Sequence, residues 1–151
     1  MGHRHSRWTR KFYQKQVKKI LALVKRKFRD GKIDIDKYLK ICEELGEEPD
    51  PEKFPVEMSD FPYEVQLAFH IHDMMPDRWD GMSGFYLGKD WSSLTVLFDT
   101  YEIEDKQTIL FFVKVIEGEH SSVINEEVKR KQDARQRQAK SGGKPGMSIK
   151  G

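Results

Sequence analysis

Apolar side chains recur at spacings of three and four along most of this chain, and that spacing places them on one face of an α-helix. The first such stripe covers residues 7–29 and is interspersed with Lys and Arg. A basic amphipathic helix can lie on a membrane or in a partner's groove. More often the stripe belongs to the core, and long basic side chains cover its borders. We therefore predict a basic N-terminal helix whose apolar stripe is buried; its members are Trp8, Phe12, Val17, Ile20, Leu21, Val24 and Phe28.

The second predicted helix is short and has a defined start and end. Asp34 or Asp36 is placed to cap its first turn, and Gly46 follows its last residue, Leu45. Within it, Cys42 is expected to act as a small buried hydrophobic residue. An acidic connector rich in proline follows, which excludes an α-helix until about residue 62.

Three helical segments follow, at residues 62–75, at residues 91–101 with Asp90 as its cap, and from about residue 105 onward. The last is the most apolar segment, and we predict that Phe112, with Leu110 or Val113, lies in the central core. Gly118 can break or bend this helix. Residues 129–140 are almost entirely polar, and the glycine-rich end is expected to be a flexible tail.

These elements predict an all-α fold, a compact bundle of five or six helices with a basic N-terminal helix, a polar C-terminal helix and a flexible tail. Four parts of one structural domain are expected. They are a helical hairpin (1–46), the acidic connector (47–61), a helical core body (62–128), and the polar helix with its tail (129–151). No segment alternates between polar and apolar residues for more than a few positions, so no substantial sheet is expected.

Residues 77–91 depart from the helical pattern and are predicted to form a loop. They contain three of the eleven glycines and two of the three tryptophans. Glycine marks backbone that turns or approaches another group closely, and large aromatic side chains are costly to leave in water. We predict a protein-binding surface here, carried by Trp79, Phe85, Tyr86, Lys89 and Trp91. The alternative is a lid whose four aromatic side chains all pack inside.

The charge of the chain is segregated along its length. Residues 1–40 carry 14 Lys/Arg against 3 Asp/Glu, residues 41–105 carry 3 against 17, and residues 106–151 carry 10 against 5. Two interpretations are open: the basic helices screen the acidic middle, or the basic ends contact nucleic acid or an acidic protein surface.

The segments that resemble motifs for metals or cofactors lack the residues or the spacing that each motif requires. The segment around Gly31 lacks the oxygen ligands of a calcium loop. His70 and His72 are two positions apart, which places them on opposite sides of a helix, whereas two ligands on one helix need a spacing of three or four. The segment ending in Gly88-Lys89-Asp90 has the wrong spacing for a phosphate-binding loop, and a carboxylate stands where Ser or Thr is required. We predict no cofactor, no metal and no enzymatic activity. A single cysteine fits a reducing compartment, and no signal peptide or membrane span is recognised.

Residues 55–140 resemble small all-α proteins of tailed bacteriophages, in the tail-assembly and baseplate-assembly group. The resemblance is carried by Asp60-Phe61-Pro62 with Glu64-Val65-Gln66, by residues 76–84 (PDRWDGMSG), by Leu87-Gly88-Lys89-Asp90, and by the polar end at 129–140. It implies a protein that contacts other phage structural or assembly proteins, as an assembly chaperone or as a minor structural component. The location implied is the host cytoplasm or the virion. It transfers no site residue.

The resulting hypothesis is a non-enzymatic protein that works through protein–protein interaction, without a membrane partner. The alternative is a nucleic-acid-binding accessory protein that uses phosphate contacts. Candidate contacts to nucleic acid or to an acidic partner are Arg4, Arg7, Trp8, Arg10, Lys11, Lys18 and Arg26 in the first helix, and Lys129, Arg130, Arg135 and Arg137 near the C-terminus.

Overall fold

The computed structural model describes residues 7–30 and 33–142, with side chains described from residue 14 onward in the first helix. Over this range the protein is mostly helical and contains five α-helices and one two-stranded sheet. The helices are α1 (Arg7–Asp30), α2 (Ile35–Leu45), α3 (Tyr63–Met74), α4 (Leu94–Thr100) and α5 (Lys106–Ser141), and the strands are β1 (Asp77–Trp79) and β2 (Tyr86–Lys89).

Helix ends follow the capping residues expected from the sequence. Asp34 caps α2 and accepts a hydrogen bond from the Lys37 backbone N–H at 2.8 Å. Gly46 ends the same helix with φ 68°, a left-handed conformation that suits glycine. Asp105 caps α5, and Asp90 caps the 3-10 turn that leads into α4. Gly31, which follows α1, lies outside the described residues.

α5 organises the fold. It contains 36 residues, a length of about 54 Å. Gly118 neither breaks it nor ends it, and the polar segment 129–140 is the last part of this helix and not a separate one.

α1 and α5 lie side by side and run in the same direction. Lys18, in the middle of α1, and Phe111, in the second turn of α5, line one cleft. Further along, Phe28 packs on His120 with ring centroids 5.5 Å apart. At the end of α1, the Arg29 guanidinium donates two hydrogen bonds to Glu126, at 3.0 and 3.1 Å.

The core lies between α1, α3 and α5 and is closed by α4 and the connector. Phe112 and Val113 are buried, as predicted, and Leu110 is partly buried against them. Cys42 is also buried, as predicted. The buried hydrophobic cluster contains Ile20, Val24, Val56, Phe61, Val65, Ala68, Phe69, Ile71, Met75, Phe98, Ile103, Ile109, Phe112, Val113 and Ile116.

α2 lies against the connector. The Tyr38 ring meets the Phe54 ring edge-on, with centroids 5.8 Å apart, and its hydroxyl accepts a hydrogen bond from the Asp50 backbone N–H. Arg26 of α1 holds the same connector by donating to the Phe54 carbonyl at 3.0 Å. The connector itself contains 3-10 turns but no α-helix, in agreement with its prolines.

The prediction of a helical protein without a substantial sheet agrees with the structure in outline, but the loop predicted at residues 77–91 is wrong, because a small β-hairpin stands there. β1 and β2 pair antiparallel, with Asp77 opposite Lys89 and Trp79 opposite Tyr86, and the register shifts between Arg78 and Trp79. Strands of three and four residues are too short to show a period of two, and the register shift interrupts it further.

Candidate functional site: the hairpin and its polar anchor

The hairpin lies along α5, with β2 antiparallel to the helix. Lys89 N–H approaches Glu117 Oε1 at 3.3 Å, Tyr86 pairs with Asn125, and the Ser83 carbonyl accepts a hydrogen bond from Gln132 Nε2 at 2.7 Å. Since Glu117 and Gln132 stand fifteen positions apart on one helix, the hairpin spans about 22 Å of α5. Its tip therefore lies where the polar end of α5 begins.

Asn125 occupies the place of a third strand beside β2. Its Oδ1 accepts from Tyr86 N–H at 2.8 Å, and its Nδ2 donates to the Tyr86 carbonyl at 3.0 Å. One side chain thus satisfies both backbone groups on the edge of β2 that faces away from β1. Buried backbone groups without partners are costly, so this pairing fixes the position of the strand.

Lys89 and Tyr86 converge on one carboxylate. Lys89 Nζ lies 2.8 Å from Asp77 Oδ1, and the Tyr86 hydroxyl donates to the same oxygen at 2.9 Å. Lys89 is only 6% exposed and Tyr86 only 3%. The hydrogen bond from Lys89 holds the pKa of Asp77 below its usual value. Burial raises the pKa of Tyr86, and the Asp77 hydrogen bond raises it further.

Glu117 joins the hairpin to α3. Its Oε2 lies 2.8 Å from His72 Nε2, and its Oε1 accepts from the Ser121 hydroxyl at 2.7 Å and from the Lys89 backbone. Burial lowers the pKa of His72, and the hydrogen bond to Glu117 offsets this only in part. His72 is therefore mainly neutral at pH 7 and donates from Nε2 to the carboxylate.

His120 fills the space between these groups. Its ring meets those of His72 and Tyr86 nearly edge-to-face, with centroids 5.1 and 5.4 Å apart. Its Nδ1 is buried and has no hydrogen-bond partner among the described residues. Burial lowers the pKa of His120, and the nearby Lys89 charge lowers it further. A neutral imidazole therefore avoids placing a second cation against Lys89.

Gly88 makes the close contact with α5 possible. Its φ is 93°, and a Cβ at this position would lie 2.8 Å from Glu117 Oε1. Residues with side chains rarely adopt this backbone conformation. The expectation that a glycine here marks close backbone approach is met at this position.

A cleft of about 550 Å³ adjoins this network. Phe28, Met58 and Phe69 form apolar walls, while His72, Lys89 and His120 lie at its polar end. These polar groups bind mainly one another and attach the hairpin to α3 and α5. We call them the anchor: His72, Asp77, Tyr86, Lys89, Glu117 and His120. In the part of the chain that is described, no three His, Cys, Asp or Glu side chains are placed to hold a metal ion.

The five residues predicted from sequence as a protein-binding surface are divided between the interior and the surface. Tyr86 and Lys89 are buried in the anchor, whereas Phe85 and Trp91 are half-buried. Trp79 is 53% exposed, although its ring lies against that of Tyr86. Two apolar residues not predicted from sequence are also exposed on the hairpin, Met82 at its tip and Leu87 on β2, at 99% and 55%.

The residues predicted to contact nucleic acid or an acidic partner also differ in their surroundings. Arg4 lies outside the described residues, and Arg7, Trp8, Arg10 and Lys11 belong to α1 without described side chains. Arg26 binds the connector and Asp30. The exposed candidates are Lys18, Lys129, Arg130, Arg135 and Arg137.

Sequence reasoning missed the α5 residues that hold the hairpin. Glu117, Asn125 and Gln132 are scattered polar residues, and His120 belongs to no local motif. One signal was present: Glu117, Ser121 and Asn125 are four residues apart and share one helix face, which continues near Gln132. Such a stripe indicates a polar partner on that face of the helix.

Comparison with models of protein families, with curated proteins and with solved structures finds no match for this chain. None of the helices in the described part of the chain is long and apolar enough to cross a membrane.

Proposed function

We propose that this protein is a non-enzymatic protein-binding protein that docks its partner on the exposed side of the hairpin. The observation that supports this is the exposure of Trp79 and Leu87 on a hairpin whose other groups are fixed to α5. Large aromatic side chains are enriched among the residues that anchor protein interfaces. A surface held rigid in advance loses little conformational freedom when it binds.

The resemblance of residues 55–140 to tail-assembly and baseplate-assembly proteins suggests the kind of partner. We propose other structural or assembly proteins of a tailed bacteriophage, met in the host cytoplasm or in the virion. The protein would act there as an assembly chaperone or as a minor structural component.

The test uses tagged protein to capture its partner from phage-infected cells, comparing wild type with Trp79→Ser and Leu87→Ser. Both variants should lose the partner while their thermal midpoints stay close to wild type. Tyr63→Ser is the matched control, because Tyr63 is 72% exposed on α3, away from the hairpin. Equal capture by all four proteins would mean that the hairpin is not part of the interface.

A second candidate function, nucleic-acid binding, is favoured by the end of α5. Residues 129–140 contain six Lys/Arg and one Asp. All residues of this segment except Gln132 are exposed. Phosphate contacts of this kind weaken steeply with salt. Arg135→Glu with Arg137→Glu should then advance elution from a heparin or DNA column in a salt gradient. Elution unchanged from wild type would argue against this candidate.

A further inference from the structure

Most of the basic side chains described in α1 form no ion pair with an acidic residue in the described part of the chain. Among the side chains described in α1, ion pairs reach Asp30 and Glu126. In the described part of the chain, none connects α1 to an acid of residues 41–105. Over the described residues, the charge segregation of the sequence is therefore not neutralised by ion pairs between these two segments.

Four exposed lysines form a basic face on α1: Lys15, Lys18, Lys19 and Lys25. At 100° per residue they lie within about 120° of one another around the helix, and they extend over about 15 Å. The opposite side of α1 supplies Ile20 and Val24 to the core. The four lysines are exposed and form no ion pair in the described structure, whereas Arg26 and Arg29 in the same sector of the helix pair with Asp30 and Glu126.

An acidic corner lies at the end of α2 and the start of the connector: Glu43, Glu44, Glu47 and Glu48. All four are exposed and form no ion pair in the described structure. Beside them α2 exposes two apolar residues one turn apart, Ile41 at 37% and Leu45 at 67%. The corner thus combines negative charge with a small apolar surface.

We propose that the basic face of one copy docks on the acidic corner of a second copy. The two surfaces match in charge, and lysine fits both parts of the corner. Its methylene stem can cover Leu45 while its ammonium group reaches a glutamate. Nucleic acid would neutralise the basic face but would leave the acidic corner and its apolar residues without a role. The contact joins two different surfaces, so copies associate head to tail, into a ring or an open chain.

Association through exposed ion pairs is weak and is screened by salt. The experiment is sedimentation velocity on the full chain over a hundredfold range of concentration, at about 0.02 M and about 0.5 M salt. We expect the mass to rise with concentration at low salt and to stay that of one chain at high salt. A single-chain mass at every concentration in low salt would overturn the proposal.

Charge reversal identifies the surfaces. Lys15→Glu/Lys18→Glu/Lys19→Glu and Glu43→Lys/Glu44→Lys/Glu47→Lys should each be monomeric alone, and an equal mixture of the two should associate again. Lys129→Glu/Arg130→Glu/Lys131→Glu, which changes the net charge as the first variant does, should still associate. Circular dichroism checks that each variant is folded.

Two further results would count against the proposal. A mixture of the two reversed variants that stays monomeric would show that these surfaces do not meet. If the α1 variant loses binding to duplex DNA while the wild type never self-associates, the basic face contacts nucleic acid instead. Neither result depends on Trp79, so the proposed partner surface on the hairpin is tested separately.

Discussion

Asn125 holds Tyr86 by both of its backbone groups, with its amide oxygen 2.8 Å from the Tyr86 nitrogen and its amide nitrogen 3.0 Å from the Tyr86 oxygen. A helix side chain here completes the edge of a strand. The hairpin is consequently part of the body, although only two strands form its sheet. Two-stranded hairpins have little stability of their own in water, so α5 supplies what the sheet lacks.

Replacing Asn125 with Ala should weaken the hairpin without unfolding the helices. Both Tyr86 backbone groups lose their partner, and an unpaired buried polar group costs about 1–3 kcal/mol. Hydrogen exchange should accelerate in residues 77–89 and stay unchanged in residues 109–116. Gln136→Ala, an exposed change further along α5, is the control and should alter neither region.

Adjacent phenylalanines test the position of the core. Phe112 is 3% exposed and Phe111 is 44% exposed. Phe112→Ala should lower the free energy of unfolding by about 3–5 kcal/mol, because it removes buried apolar surface and leaves a cavity. Urea unfolding measures the change, and Phe111→Ala should cost clearly less. Equal losses would mean that α5 is rotated about its axis relative to the structure described.

Much of the helical framework could be predicted because its signals are local. Asp34, Gly46, Asp90 and Asp105 act through neighbours a few residues away, and the apolar spacing around Phe112 reports a face that is buried. Capping and periodicity depend on residues within one or two turns, which a sequence displays directly.

The anchor could not be predicted because its contacts are distant in sequence. His72 and Glu117 are 45 positions apart, and Asn125 is 39 positions from Tyr86. Lys89 in particular resembles an exposed binding residue, since lysine is seldom fully buried without a partner. Only the fold shows that Asp77 stands opposite it across the hairpin.

Acid should destabilise the protein in the range where histidines titrate. The folded-state pKa values of His72 and His120 are lowered, mainly by burial, so the unfolded chain takes up protons first as the pH falls. Their stabilising contribution is complete above about pH 6.5, the value of an exposed imidazole, and is lost as the pH falls from there toward the folded values. Asp77 has a lowered pKa and contributes above about pH 4, so its loss comes only in stronger acid.

Thermal midpoints measured between pH 8 and pH 5 would show this fall. His72→Gln should flatten the profile, because one of the two buried imidazoles is gone. His70→Gln, at an exposed position on the same helix, should leave the profile as in wild type. A wild-type profile that is flat through this range would mean that neither histidine changes its pKa on folding.

Removing the end of α5 should abolish binding and leave the fold intact. A chain that stops after Val128 loses no residue of the buried core, since residues 129–142 are exposed except for Gln132. Its thermal midpoint should stay near that of wild type, while partner capture or DNA binding is lost. The truncation removes the hydrogen bond from Gln132 to the Ser83 carbonyl of the hairpin, and with it the exposed ion pair between Lys131 and Glu127. Gln132→Ala in the full chain reproduces the loss of that hydrogen bond alone. If the shortened chain unfolds and Gln132→Ala does not, the end of α5 supports the body by another route.

Gly88 offers the sharpest test of the contact between the hairpin and α5. Alanine at this position adopts an unfavourable φ of 93°, and its Cβ would lie 2.8 Å from Glu117 Oε1. Strained backbone of this kind costs about 1–3 kcal/mol, and Glu117 must also move away from His72 and Ser121. Gly88→Ala should therefore accelerate hydrogen exchange throughout residues 77–89 and raise the pKa of His72 toward that of a free imidazole, because the hairpin no longer buries the ring.

Gly81→Ala is the matched control, since nothing lies within 4 Å of a Cβ added there and its φ is not positive. NMR titration of the His72 ring protons measures the pKa. If Gly88→Ala leaves both exchange and titration unchanged, β2 does not pack against Glu117 in solution, and the anchor described for the hairpin would have to be abandoned.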